Sequence, residues 1–363
     1  MDKIRYSQSS GAAILNRAHT LSFRVTLVVI IFTSLLSLPR FAHHTPDSRR
    51  YIKVAEYFRG DISRIELVGP YAYRVLVPLV AALIPLSNLD INFALLNILA
   101  TILAYLIFAR YLQQFVSSRT ELNVGLFLLV VSFPSFNYAS GVLTDPVAFL
   151  ILVAAAYLLL KERYYLLSCV ICLGVLARES MLIMALATAI YIGLGWRQSG
   201  ASWIRSCVAL AVVSIPPTVV FLAVRAYFED VPSNFYWGLS LDGFLKNIKQ
   251  PIGWTTFLLT LGPPLCLFVI GFRRSGLTFF QNLLGPQRQI LLALTIVSIL
   301  YIIYSNSIAT AYMSGRFAWP FYTALIPIAV LSSTKTRIYT NILAPVSNYL
   351  FGNDDDTSHR KAK

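Results

Sequence analysis

A few polar side chains stand out in this chain because so little of their surroundings is charged. Asp47 and Asp145 are carboxylates able to take a proton from an attacking hydroxyl, the work of a general base. Arg178 and Arg316 carry planar guanidinium groups suited to bidentate contacts with phosphate. Arg74, Glu179 and Tyr51 complete the set expected to bind substrate. Each group also has a plainer reading. Asp145 before Pro146 suits a helix N-cap followed by proline at the first helical position. Arg178 and Glu179 are adjacent and could pair with each other. Arg316 could anchor an interface, with Trp319 and Tyr322 nearby in an aromatic belt. His43 and His44 read as solvated loop residues, because no third ligand stands at a zinc-site spacing.

The elements that must position these residues are apolar helices. Hydrophobic residues make up 57% of the 363, charged residues 13%, and the mean hydropathy is +0.67. A soluble fold needs roughly 25% charged residues to keep its surface wet. Apolar runs near the length that crosses a hydrocarbon core of about 30 Å recur from end to end. They do not alternate as barrel strands would. Lipid-exposed backbone must satisfy its own hydrogen bonds, which leaves helices. The expected fold class is all-α, a polytopic transmembrane bundle of about ten spans. These are 21–38, 90–115, 122–138, 145–160, 164–177, 181–196, 203–228, 254–272, 289–306 and 317–334. Residues 21–38 read as a retained first helix, lacking an A-x-A-like cleavage signal before Arg40. The four cysteines all fall inside apolar runs and read as small core residues.

Charge sets the expected orientation. With the N-terminus in the cytoplasm, 18 of the 30 basic residues and six of the 16 acidic ones fall inside. Net charge is then +12 inside and +2 outside, as the positive-inside rule requires. The basic residues punctuate helix ends instead of forming one stripe, which argues against nucleic acid as a partner. The segment 74–86 decides the register. At about 13 apolar residues, with Pro78 and Pro85, it reads as an interfacial or re-entrant helix rather than a span. Residues 1–334 then form one transmembrane domain, with outer loops at about 39–89 and 229–253. Residues 335–363 form a cytoplasmic tail, solvated after Phe351. Glu56, Arg59, Asp61 and Arg64 fall at helical spacing on an amphipathic surface segment. The turn Ala177-Arg178-Glu179-Ser180 separates two short helices, because one long helix would bury two charges in mid-membrane. In this register Asp47, Asp145, Arg178 and Arg316 face one compartment.

Two stretches resemble GT-C-type membrane glycosyltransferases. The first runs from Asp47-Ser48-Arg49-Arg50-Tyr51 to Pro70-Tyr71-Ala72-Tyr73-Arg74, with Pro78-Leu79 following. It is similar to that superfamily's first outer loop, where an acidic residue follows the first helix and a P-Y-x-Y-R segment leads back to the membrane. The second, Leu143-Thr144-Asp145-Pro146 and then Gly174 to Glu179, resembles bacterial members. The likeness covers roughly residues 20–200. It implies inverting transfer of a sugar from a polyprenyl-phosphate donor to a glycan, lipid or protein acceptor at the outer face of a plasma membrane. By position Asp47 corresponds to the first-loop base, and Asp145 to the acidic site of the second outer loop. Neither D-x-D nor D-E stands at Pro46-Asp47-Ser48, a departure from the family pattern that leaves a divalent cation possible but not implied. The alternative is a transporter or flippase of a lipid-linked saccharide, although no repeated halves are visible. A third reading is an assembly subunit without activity.

Overall fold

The computed structural model describes residues 23–199, 203–232, 240–276, 278–308, 314–334, 336 and 338–352, and all regular structure among them is helical. The chain enters through α1 (Phe23–Ser37) and passes along α2 (Ser48–Arg59) and the short α3 (Leu76–Leu83). It continues through α4 (Leu89–Leu112), α5 (Arg119–Val130), α6 (Phe133–Asn137), α7 (Asp145–Leu160) and α8 (Tyr164–Ala177). After these come α9 (Ile183–Ser199), α10 (Trp203–Tyr227), α11 (Leu241–Ile248) and α12 (Pro251–Ser275). The last are α13 (Thr278–Gln281), α14 (Gly285–Ile308), α15 (Tyr322–Ser333) and α16 (Ala344–Phe351).

Six described helical segments are long and apolar enough to cross a membrane: Phe23–Arg40, Leu89–Leu112, Glu179–Trp196, Trp203–Tyr227, Pro251–Ser275 and Gly285–Ser307. α7 and α8 are apolar but shorter. The longest present apolar side chains outward; Ile215, Val219 and Leu222 along α10 are all exposed. A contiguous surface of this kind is rare on soluble monomers and natural against lipid. The core lies where α4 packs on α7, α8 on α10, α9 on α14 and α12 on α15. Phe93 and Phe108 of α4 are fully buried there, and Leu126 and Leu129 of α5 are buried beside them in the same core cluster.

Local chemistry sets the helix ends. The Asn88 side chain accepts from the Asp90 and Ile91 amides at the start of α4, and Ser118 with Glu121 forms a capping box on α5. α2 stops at Gly60, whose φ of 81° suits glycine. Asp61 and Arg64 therefore lie beyond that helix and not on its face, and Arg64 instead pairs with Asp230 at 2.6 Å. α3 is eight residues, about 12 Å at helical rise, too short to cross a hydrocarbon core.

Three expectations need correction. The run 122–138 is not one helix: it breaks after Val130, and α6 starts afresh with Pro134 in its first turn, where proline has no amide to continue the ladder. The final span is shorter than 317–334. Two 3₁₀ turns, Gly315–Phe317 and Trp319–Phe321, precede α15, which begins only at Tyr322. Within the expected tail, residues 338–351 are helical and not bare chain. Tyr339–Leu343 leads into α16, which packs on α5 and α1 with Phe351 buried. Asn123 donates to Asn348 and to the Gly352 carbonyl, and Arg24 donates to the Tyr349 carbonyl. The remaining tail, 353–363, and the N-terminal residues 1–22 lie outside the described residues, as does 233–239 within the later loop.

Candidate functional site

Backbone pairing between two distant loops builds the site. Ala42 N–H donates to the Ser140 carbonyl, and Val142 N–H donates to the His43 carbonyl at 3.1 Å. The Ser48 hydroxyl adds a bond to the Val142 carbonyl at 2.9 Å. From inside the bundle, the buried Asn97 amide of α4 donates to the Gly141 and Leu143 carbonyls at 2.7 and 2.9 Å. These bonds fix the start of α2 beside the start of α7, and so Asp47 near Asp145. Arg316 arrives from a third direction. Gly315 sits so close to α12 that a Cβ would collide with the Thr256 carbonyl and the Thr260 hydroxyl. Its amide donates to the Thr256 hydroxyl at 3.1 Å.

The result is an ionic network, Asp47–Arg316–Asp145–Arg178, with the Arg74–Glu179 pair beside it. Asp47 stands at the N-cap position of α2 but does not cap it. Its Oδ1 accepts from the Tyr71 hydroxyl at 2.7 Å, and its Oδ2 from Arg316 Nη2 at 3.0 Å. Arg316 Nε lies 3.4 Å from Asp145 Oδ1. The same carboxylate oxygen takes a hydrogen bond from Arg178 Nη1. Arg74 grips Glu179 through two bonds, at 2.9 and 3.0 Å, and donates a third to the Tyr51 hydroxyl. Arg50 donates to the Tyr71 hydroxyl at 2.8 Å and lies over its ring.

The pairing differs from the sequence-adjacent one. Arg178 does not meet Glu179. Its backbone is extended, φ −163° and ψ 121°, which turns neighbouring side chains to opposite sides. Arg178 reaches Asp145 while Glu179 reaches Arg74. Asp145 is not the N-cap of α7 either; Thr144 holds that position, and the aspartate opens the helix with its side chain on Arg178.

A cavity of about 1070 Å³ opens beside the network. Asp47, Arg74, Arg178, Glu179 and Arg316 all line it. Two expected site residues do not. Tyr51 is fully buried behind Arg74 and serves to orient that guanidinium. Asp145, 4% exposed, lies beneath Arg178 and Arg316. Three residues not counted among the site residues belong to it: Arg50, Tyr71 and Arg225. Arg225 stacks over Tyr73 and Phe221 at the end of α10. Tyr71 was visible three places before Arg74, in the same segment; Arg225 had no signal beyond its charge. Among the described residues, six arginines line the cavity (40, 50, 74, 178, 225 and 316) against two carboxylates.

That imbalance shapes the titration of the loop groups. Burial pushes the Asp47 carboxyl up, but Arg316 beside it and the bonds from Tyr71 and Arg316 outweigh burial and hold it below its ordinary 3.8. Burial, then the Asp47 charge, pushes the Tyr71 phenol up to about 12, so it stays a hydrogen-bond donor at neutral pH. Burial, then Arg40 and His44, favours neutral His43, whose Nε2 lies 2.6 Å from Arg40 Nη1. Because Asp47 ionises more readily folded than unfolded, its stabilising effect is complete above 3.8 and drains away as pH falls through the lowered value. Replacing Tyr71 with Phe removes one of the bonds that lowers Asp47. The acid limb of any activity that uses this carboxylate is expected to move to higher pH in Tyr71→Phe; an unmoved limb would separate the two residues.

The donor set does not suit a divalent cation. Each Asp47 oxygen accepts one bond, from Tyr71 or Arg316, which leaves room for a neutral hydroxyl, but the guanidinium groups on Asp47, Asp145 and Glu179 repel a second cation. Among the described residues, no group of three or more His, Cys, Asp or Glu is placed to hold a metal ion. No family model matches the chain, and no curated protein is significantly similar to it.

Proposed function

We propose that the chain is a membrane glycosyltransferase that moves a sugar from a polyprenyl-phosphate donor to an acceptor hydroxyl. One observation carries the reading: a carboxylate, 22% exposed, stands in the wall of a large arginine-rich cavity set into an apolar helical bundle. The excess of guanidinium groups suits an anionic headgroup. Arg316 and Arg178 keep further N–H donors beyond their carboxylate bonds, and these are available to phosphate oxygens. The apolar outer surface suits the isoprenoid chain.

In this reading the acceptor hydroxyl hydrogen-bonds to Asp47, and its oxygen attacks the anomeric carbon opposite the phosphate. The bond from that carbon to the phosphate oxygen breaks, and polyprenyl phosphate leaves with the electron pair. The acceptor proton passes to the Asp47 carboxylate and then to solvent, and attack from the face opposite the phosphate inverts the anomeric configuration. Asp145 positions Arg178 and Arg316 and takes no part in the proton transfer. Both termini lie in the cytoplasm, about ten segments cross a plasma membrane, and the cavity faces outward. In support, Lys161 and Arg163 follow α7 at the end opposite Asp145, where the positive-inside rule wants them.

The test is reconstitution in vesicles with a labelled polyprenyl-phosphate hexose and membrane glycans and lipids as acceptors. The expected result is label on an acceptor together with free polyprenyl phosphate. Movement of intact labelled donor between leaflets, with no bond broken, would replace transfer with transport.

A further inference from the structure

Behind the arginines lies a second, smaller space of about 40 Å³. Its walls are mostly apolar, among them Ala148, Phe149, Leu152, Met184 and Val297. Arg178, Tyr301 and Arg316 line both spaces, so the annex meets the large cavity at the guanidinium groups. Three annex residues carry buried polar atoms without a hydrogen-bond partner: Asp145 Oδ2, an acceptor, and Arg316 Nε and Trp319 Nε1, donors. Arg316 Nε already faces Asp145 Oδ1 at 3.4 Å, which leaves Asp145 Oδ2 and the indole to be matched. Asp145 is 4% exposed and Trp319 1%. The Trp319 ring is held by stacking on Phe149, centroids 4.5 Å apart and planes 20° from parallel.

A buried donor or acceptor left unmatched keeps its desolvation penalty. What enters must therefore both donate and accept. A carboxylate would satisfy the indole and oppose Asp145, whereas an ammonium would do the reverse. A hydroxyl does both. A water needs roughly 10–15 Å³ of such space, so the annex takes about three waters or one substituent of hydroxymethyl size. A sugar ring is too large.

We infer that the annex is a specificity pocket for one neutral, hydroxyl-bearing substituent of a sugar whose ring sits in the large cavity. The source of that group rests on the sugar-transfer reading. The chemistry of the pocket rests on Asp145 and Trp319.

The experiment uses the full chain in nanodiscs with ¹⁵N-labelled indoles. There are five tryptophans, and Trp319→Phe assigns the relevant resonance. The probes are undecaprenyl-phosphate glucose and undecaprenyl-phosphate xylose, which lacks only the hydroxymethyl group. Glucose should shift the Trp319 N–H and bind about tenfold tighter or more, as expected where a site is built to bond a hydroxyl. The xylose probe should leave the resonance in place. Ala148→Met, which fills the annex, should abolish the preference while keeping xylose affinity within about twofold. Trp319→Phe, which keeps a ring on Phe149, should lose the preference too and covers the case in which Ala148→Met fails to fold. Equal shifts from both probes, or none from either, would overturn the pocket and leave it to water. Binding is read without turnover, so the same measurement on Asp47→Asn protein keeps its meaning even if no sugar transfer is ever found.

Discussion

Asp47→Asn should lower sugar transfer by about 10²–10⁴-fold, the usual contribution of a positioned general base, while the protein inserts, folds and still binds donor. The substitution is close to isosteric. Tyr71 can still donate to the amide oxygen, and the side chain stands at the cavity wall instead of in the core. What disappears is the negative charge, and with it the proton acceptor. A fall in kcat with donor affinity kept would mark a group that acts in the transition state. The measurement is single-turnover transfer in vesicles beside thermal unfolding of the same preparation. Normal transfer by the variant would remove Asp47 as the base. Loss of transfer with an equal loss of folded protein would make its role structural.

Asp145→Ala should do the opposite and damage the fold first. Asp145 separates two buried guanidinium groups, Arg178 and Arg316, and takes a hydrogen bond from the first. Removing one partner of a buried ion pair typically costs about 3–5 kcal/mol, because the other charge is left without compensation. Thermal stability in detergent should therefore drop sharply. The double variant Asp145→Leu with Arg178→Leu should regain most of the loss, since Arg316 keeps Asp47 as its partner. It should not regain activity, because a phosphate contact has gone. If the single variant were as stable as the parent, Asp145 would not be the keystone of the network.

Much of this arrangement was legible in the sequence for one physical reason. Charges are rare in apolar sequence, and each must find a wet cavity or a partner. That argument alone brings Asp47, Asp145, Arg178 and Arg316 together, and they lie within one network. Its pairings were not legible. Adjacent Arg178 and Glu179 invite each other on paper, but an extended residue at the end of α8 sends them to different partners. Tyr51, expected to bind substrate, lies at the end of the Asp47–Tyr51 stretch. Burial behind Arg74 depends on how α2 lies on the 71–73 turn, which no spacing reveals. The helical packing of 338–351 was hidden in a similar way, since its apolar residues are too few for a span and Asn123 supplies polar bonds to Asn348 and Gly352. Helix breaks at Ser132 and before Tyr322 were signalled by Pro134 and Pro320, whose force in a long apolar stretch is easily underweighted.

The bond between Asp145 and Arg178 also bears on how such a chain enters a bilayer. The two residues are 33 positions apart, at the open end of the helical hairpin formed by α7 and α8, whereas Asp47 and Arg316 are 269 apart. The near pair can close while the chain is still being made, so two charges that are expensive alone can be carried into lipid as one neutral unit. Arg316 is synthesised late and finds its acidic partners already in place. The order of synthesis thus matches the order in which these charges can be neutralised, and a chain stopped before residue 314 would hold a closed hairpin but no completed site.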